Sequence, residues 1–373
     1  MGAVVANAER QDTRLPLKEL TRLVRDLHQP RAAIYWADLI GCIAVAWTGY
    51  LLSMPFPDTF MQGSMLALLG FVVSVFALYR ASYFNHELSH HANRLPGFAI
   101  GWNVLVGIPL LIPSFLYSDH RNHHSMEGFG TDDDVEYFPP HLRGIRGAGA
   151  LLLTCFVLPV VYIARFSVLL IAAAVSPRVR HWVDVRASSL GILGLSRRAP
   201  PTAAERRTWR IQELACGGYL LVSGILLLTG VIPLIMILHF YTILVALLVL
   251  HSIRIIVGHR YESEGNPRDR LDQVLDSYNF TRQRLLTTLL APLGFNLHAL
   301  HHLFPNIPYH NMPEAHRRIS AALPKDSLYH AIEAPSYFAQ VWRFLTRTAD
   351  DRPVSDPQHT SPRHTGEAQI PVP

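Results

Sequence analysis

The sequence predicts an all-α integral membrane protein: four transmembrane helices under a cytoplasmic helical cap. Three observations predict it. Apolar residues concentrate in segments 32–54, 63–84, 214–230 and 233–257, each near the ~20 residues that a helix needs to cross the hydrocarbon core. Arginine is pushed outside those segments, with eight arginines in residues 176–212 against Asp184 and Glu205. Three histidine clusters lie beside apolar segments: His86, His90 and His91; His120, His123 and His124; His298, His301 and His302.

The chain has 373 residues, half of them hydrophobic, and a formal net charge of +5. The mean hydropathy of +0.19 averages over strongly apolar and Arg-rich blocks. Lys18 and Lys325 are the only lysines, so arginine carries the charge. Those arginines flank apolar segments, which reads as orientation at a membrane surface and implies no nucleic-acid partner. Cys42, Cys155 and Cys216 are far apart in apolar stretches, which suggests no zinc knuckle, iron–sulfur cluster or disulfide framework.

Residues 1–31 form a polar cytoplasmic segment without a signal-type apolar core, in which Leu15 to Leu27 suits a short amphipathic helix at the membrane surface. One membrane domain is expected over residues 32–348. Its first span, 32–54, contains Asp38. The connector Met54 to Gln62 holds Pro55 and Pro57, has no Lys or Arg, and is placed outside. The second span, 63–84, runs straight into the first histidine cluster. From Pro96 to Tyr117 the chain is apolar but broken by Gly97, Gly101, Gly107, Pro109 and Pro113. A re-entrant or interfacial segment fits that pattern better than a straight span. Residues 148–175 are apolar around Arg165. The positive-inside rule places 176–212 in the cytoplasm, and the second cluster belongs on the same side. Segment 148–175 is therefore expected to enter and leave on one face. Spans 214–230 and 233–257 follow, joined by a tight uncharged turn, and 260–297 is soluble. Residues 349–373 have the composition of a disordered tail. This topology puts all three clusters and both termini on the cytoplasmic side.

His298, His301 and His302 form an H-x-x-H-H pattern, and His120, His123 and His124 repeat it. Side chains three and four apart share a helix face, so each cluster gathers imidazoles. Imidazole suits Zn, Cu, Fe and Ni. A closed zinc site takes four ligands, so eight or more histidines imply two ions. A cysteine-free histidine set with open positions suits iron and dioxygen. Neutral imidazoles do not cancel the metal charge, so carboxylates should orient the rings through their N–H groups. Asp119, Asp134, Glu136, Asp272 and Asp276 are candidates, and His310 and His316 are candidates for the surrounding shell.

These residues resemble the membrane-bound fatty acid desaturase superfamily. His86-x-x-x-His90, His120-x-x-His123-His124 and His298-x-x-His301-His302 match its three histidine boxes in order and type. The continuation from His301 to Asn311, His-His-Leu-Phe-Pro-Asn-Ile-Pro-Tyr-His-Asn, resembles the third box closely, and Gly130-Thr131 through Glu136-Tyr137 resembles bacterial members. The similarity spans Ile34 to Leu345. It implies a non-haem di-iron centre that uses O2 and two electrons to desaturate a fatty acyl chain carried on CoA, a carrier protein or a lipid. It implies His86, His90, His120, His123, His124, His298, His301 and His302 as ligands, with His91 as the alternative register in the first box. His259 resembles the extra ligand that several acyl-CoA desaturases place after the last span, although Ile255 stands where those enzymes have Asn. With neither clustered Cys nor a G-x-G-x-x-G fingerprint, a separate ferredoxin- or cytochrome-type electron donor is expected.

Three other readings compete. His86-Glu87-Leu88-Ser89-His90 also matches H-E-x-x-H, the zinc metalloprotease pattern. That reading leaves both H-x-x-H-H clusters unexplained. A metal transporter would place its ionisable groups inside spans, whereas these lie at span ends. A lipid hydroxylase or other oxygenase of the same superfamily uses the same boxes with a different product.

Overall fold

The computed structural model describes residues 15–55, 64–138, 144–191, 197–263, 265–266 and 268–347. The expected disordered tail, most of the Met54–Gln62 connector and residues 1–14 lie outside the described residues. The fold is all-helical. Among the described residues its only β features are isolated bridges, such as His259 to Ser277.

The membrane helices are α1 (Ala32–Ser53) and α2 (Met65–Ser82), which continues past Tyr83 into α3 (Phe84–His91), and then α4 (Ile145–Phe166), α5 (Ala203–Leu228) and α6 (Leu234–Gly258). Their outer faces are apolar and exposed, with Leu228 at 89% and Leu221 at 66% exposure. Such a surface suits lipid, where only helices and closed barrels satisfy the backbone.

Helices α1 and α2 form a tight antiparallel hairpin. A Cβ on Gly49 would lie 2.6 Å from the Gly70 carbonyl oxygen, and one on Gly70 would lie 2.8 Å from that of Gly49. Small residues at a crossing let the backbones touch, which is how helices gain packing energy in lipid. Asp38 on α1 pairs with Arg80 on α2 and accepts from the Tyr309 hydroxyl at 2.8 Å. This ionisable group in the first span thus ties the hairpin to the third histidine box.

Among the described residues five helices are long and apolar enough to cross a membrane, one more than the four expected. The additional one is Ile145–Val175, the segment expected to lie at the interface. It is not one straight rod: Pro159 lies inside α4, and Ser167 interrupts the helix before Val168–Val175. Both ends of α4 make long-range contacts. At its start, a Cβ on Gly144 would meet the Arg347 carbonyl at 2.3 Å. At its end, Phe166 packs with Phe115 and Trp209, while Arg165 donates to the Ala187 carbonyl and pairs with Glu213.

The segment after the first box is interrupted, as its glycines suggested. A short helix, Phe98–Trp102, runs into a π-turn at Asn103–Gly107, about half the length of a span. The N-terminal helix Leu17–Leu23 differs from expectation. Leu15, Leu20, Val24 and Leu27 pack on Leu300, Leu303 and Ile319 of the cap. Its apolar face is therefore used up by protein and not left for lipid.

Candidate metal centre

The first box rides on α3, the continuation of α2 out of its apolar stretch. His86 and His90 stand four residues apart and share a face. The second box is a single helical turn, His120–His123, with His124 at its end. The third is α7 (His298–Leu303). On such a turn, positions i and i+4 point together and i+3 points away by ~60°. Two groups result. His86, His90, His120, His124 and His301 form one, and His123, His259, His298 and His302 form the other. Within each, the ligand-type atoms all lie within 4.8 Å of one another. The second and third boxes each feed both groups. His298 therefore faces His302, while His301 turns to the opposite group.

The inner nitrogens converge. The Nε2 of His301 lies 3.0 Å from that of His86 and 3.0 Å from that of His124, and His124 lies 2.9 Å from His120. In the second group, Nε2 of His259 lies 3.2 Å from His123 and 3.0 Å from His298, which lies 3.3 Å from His302. A neutral imidazole has one N–H, so these nitrogens cannot all be joined by hydrogen bonds. Two nitrogens bound at ~2.1 Å to one ion at a right angle would sit about 3.0 Å apart. The donor set therefore fits two imidazole-ligated metal ions.

Three of the outer nitrogens face carboxylates or a hydroxyl, while Nδ1 of His86, His124, His298 and His302 has no hydrogen-bond partner among the described residues. His120 Nδ1 lies 2.6 Å from Glu136 Oε1, and His123 Nδ1 lies 2.8 Å from Asp134 Oδ2. His259 Nδ1 lies 3.1 Å from Ser277 Oγ and 3.5 Å from Asp276 Oδ2. Each contact suits a proton on Nδ1 and leaves the Nε2 lone pair facing inward. Asp134 also accepts from the backbone N–H of Gly130 and Glu136, so the acidic loop wraps around it. Gly130 has φ +69°, and a Cβ there would lie 2.5 Å from Ser263.

Burial drives the His124, His298, His301 and His302 rings well below their ordinary value, and neighbouring imidazoles add to it. His120 and His259 are lowered for the same first reason. His123 goes the other way: burial lowers it, but Asp134 outweighs that and raises it. Burial would raise Glu136, yet the His120 and His123 rings and the Tyr117 hydroxyl hold it far below the carboxylate range. Buried neutral rings beside ionised carboxylates are the state in which imidazole donates to a metal.

Of the expected orienting residues, Asp134, Glu136 and Asp276 stand against the histidines. Asp119 instead pairs with Arg198 at 3.1 Å. Asp272 is partly exposed in the first turn of helix Arg270–Asp276. His310 accepts from the Arg31 N–H, and His316 contacts the Tyr329 hydroxyl. His91 is buried outside both groups, and its two ring nitrogens have no partner among the described residues. Unforeseen from sequence were Tyr117, whose ring stacks on His120 and whose hydroxyl donates to Glu136 at 2.8 Å, and Tyr137, which donates to Asp276 at 3.0 Å. Tyr117 stands three residues before His120, which was a readable signal; Tyr137 is 139 residues from Asp276 and gave none.

Glu87 does not act as a protease base would. It accepts from the Tyr35 hydroxyl and the Tyr309 N–H inside the protein. Beneath the histidines lies a cavity of ≈ 150 Å³. His86, His123, His259 and His298 line one end. Leu158, Pro159, Leu244, Leu247 and Leu248 make its apolar wall.

A family model described as fatty acid desaturase matches residues 62–333. The chain is 36% identical over 326 residues to a ceramide hydroxylase of Caulobacter vibrioides (strain NA1000 / CB15N), an alignment covering 86% of this chain and 90% of that one. No solved structure matches the chain. With most of its length under the family model and its histidines gathered in two groups, the chain belongs to the fatty acid desaturase family.

Proposed function

We propose that this chain is a membrane-embedded di-iron oxygenase that hydroxylates an unactivated carbon of a long-chain lipid of the ceramide class. The observation that carries the reading is the pair of convergent histidine groups, four of whose rings line an apolar-walled cavity. The similarity to a ceramide hydroxylase over most of both chains supports this product and substrate class. His86, His90, His120, His124 and His301 would hold one ion, and His123, His259, His298 and His302 the other.

Iron bound there supplies O2 activation and oxidation of a C–H bond. The chain supplies position. The leucine wall holds the hydrocarbon and excludes water, so which methylene reaches the histidine end depends on where the lipid is anchored. Glu136, Asp134 and Asp276 keep the rings in one tautomer. Electrons come from a separate carrier protein. The cap faces the cytoplasm, and the reading keeps four spans, with Ile145–Val175 at the interface. The contacts at the two ends of α4, with Arg347 at its start and with Phe115 and Ala187 at its end, support this.

Desaturation of an acyl chain is the second reading, favoured by the description of the family model. Mass spectrometry of lipids from cells expressing the chain separates the two. A ceramide heavier by one oxygen atom, absent with His301→Ala, is the expected result. Loss of two hydrogens from an acyl chain would favour desaturation instead.

A further inference from the structure

The cavity contains an unpaired cation. Arg254 lies near the C-terminal end of α6, is buried at 8% exposure and lines the cavity beside His298 and His259. Arg165 is the other arginine counted as buried among the described residues, and it pairs with Glu213. Arg80, Arg180 and Arg198 also have carboxylate partners. Arg254 has no carboxylate within ion-pair distance among the described residues. The nearby acids are engaged elsewhere: Glu136 with His120 and Tyr117, Asp134 with His123, and Asp276 with Tyr137.

The guanidinium is held but not satisfied. It lies over the rings of Phe295 and Tyr83, 4.4 and 5.5 Å from their centroids, and Nε donates to the Tyr83 hydroxyl at 2.9 Å. Its two terminal amino groups have no acceptor among the described residues. Two aromatic faces fix the plane of the fork, so its donors are aimed before anything binds. The same cavity has a second unsatisfied group. Asn85, next to His86, is buried, and both its amide oxygen and its amide nitrogen lack partners. Buried polar groups are nearly always hydrogen-bonded, and leaving an arginine uncompensated in an apolar space is costly. A bound group with an oxygen acceptor would satisfy the first, and an amide, which both donates and accepts, would satisfy the second.

We propose that Arg254, with Asn85, anchors the carbonyl-bearing head of the lipid at the histidine end of the cavity. The inference rests on the hydroxylase reading and deepens it by fixing which end of the substrate is held. Arg254 Nη1 and His298 Nε2 lie 3.7 and 3.9 Å from where a Cβ on Gly258 would stand, so the two nitrogens are near neighbours in the cavity lining. A carbonyl oxygen received by Arg254 therefore places the oxidised carbon within a few bonds of that carbonyl. Regiochemistry is then counted from the head, while the far chain slides along the leucine wall.

The test uses the full chain in detergent. Binding is measured on zinc-loaded protein, which needs no turnover, and product position on iron-loaded protein. The lipids are an N-acyl sphingoid base, an O-alkyl analogue lacking the carbonyl, and a free fatty acid. Arg254→Gln is expected to weaken binding of the N-acyl lipid about tenfold, the size of one lost charge-assisted hydrogen bond. It should leave the analogue's binding and the metal content unchanged, and Arg254→Lys should restore part of the loss. Across acyl lengths, the new hydroxyl should keep its distance from the carbonyl. An equal loss for both lipids, or loss of metal, would overturn the anchor, as would a hydroxyl at fixed distance from the methyl end. A larger loss for the free fatty acid would replace the carbonyl with a carboxylate and overturn the assignment. Selective binding without any hydroxylated product would sink the proposed activity and leave the anchor standing.

Discussion

His259 shows how a single residue completes a group. Its Nε2 meets His123 and His298, and its Nδ1 faces Ser277 and Asp276. It was also the weakest of the nine sequence expectations, since its neighbour Ile255 departs from the acyl-CoA desaturase pattern. His259→Ala is expected to cost one metal equivalent and most turnover at matched protein levels; full metal content and turnover would remove it from the site. The eight box histidines were legible because short helical spacing gathers imidazoles at one turn, although only the four-residue pairs share a group and His123 and His301 turn to the other. Arg254 was not: its significance comes from the cavity it lines, which no local pattern encodes. The buried rings also set a pH dependence. His124, His298, His301 and His302 have folded values far below the ordinary ~6.5. Below ~6.5 the unfolded chain takes up protons that the folded one refuses, so stability falls with pH. His123, raised by Asp134, opposes this in part. Metal-free protein should lose thermal stability as pH drops from 7 towards 5, read by its unfolding midpoint, and a flat profile would contradict the neutral-ring account.

Among the elements, the α1–α2 hairpin fixes the first box, because α2 continues into α3. Gly49 and Gly70 permit the close crossing. Gly49→Leu should force the helices apart, costing about 1–3 kcal/mol as overpacking does, and should lower both the unfolding midpoint and metal retention. An unchanged midpoint would mean that the crossing carries no strain-sensitive packing. Helix α4 is where hydropathy and charge bias disagree. Hydropathy alone makes it a span, and the arginine bias makes it interfacial. The contacts of its two ends with Arg347 and with Phe115 and Trp209 are long-range, so no window of sequence contained them. The N-terminal helix was misplaced for the same reason: an amphipathic face does not say whether lipid or protein will cover it.

For the whole molecule, topology follows from where the cap lies. Cys42, Cys155 and Cys216 are all buried, so introduced cysteines can be read against a quiet background. Ala199→Cys, in the Arg-rich segment, should react with an impermeant thiol reagent only from the cytoplasmic face. Val231→Cys, at the turn before α6, should react only from the opposite face. Labelling of both from one side would refute the arrangement. The fold brings nine histidines from distant segments into two groups that could each hold a metal ion. Elemental analysis of iron-replete, purified protein tests it most directly, with His301→Ala and His302→Ala beside the wild type. About two iron ions per wild-type chain are expected, one for each histidine group, with a fall of at least one equivalent in either variant. One zinc per chain without iron-dependent turnover, or iron unaffected by both substitutions, would contradict it.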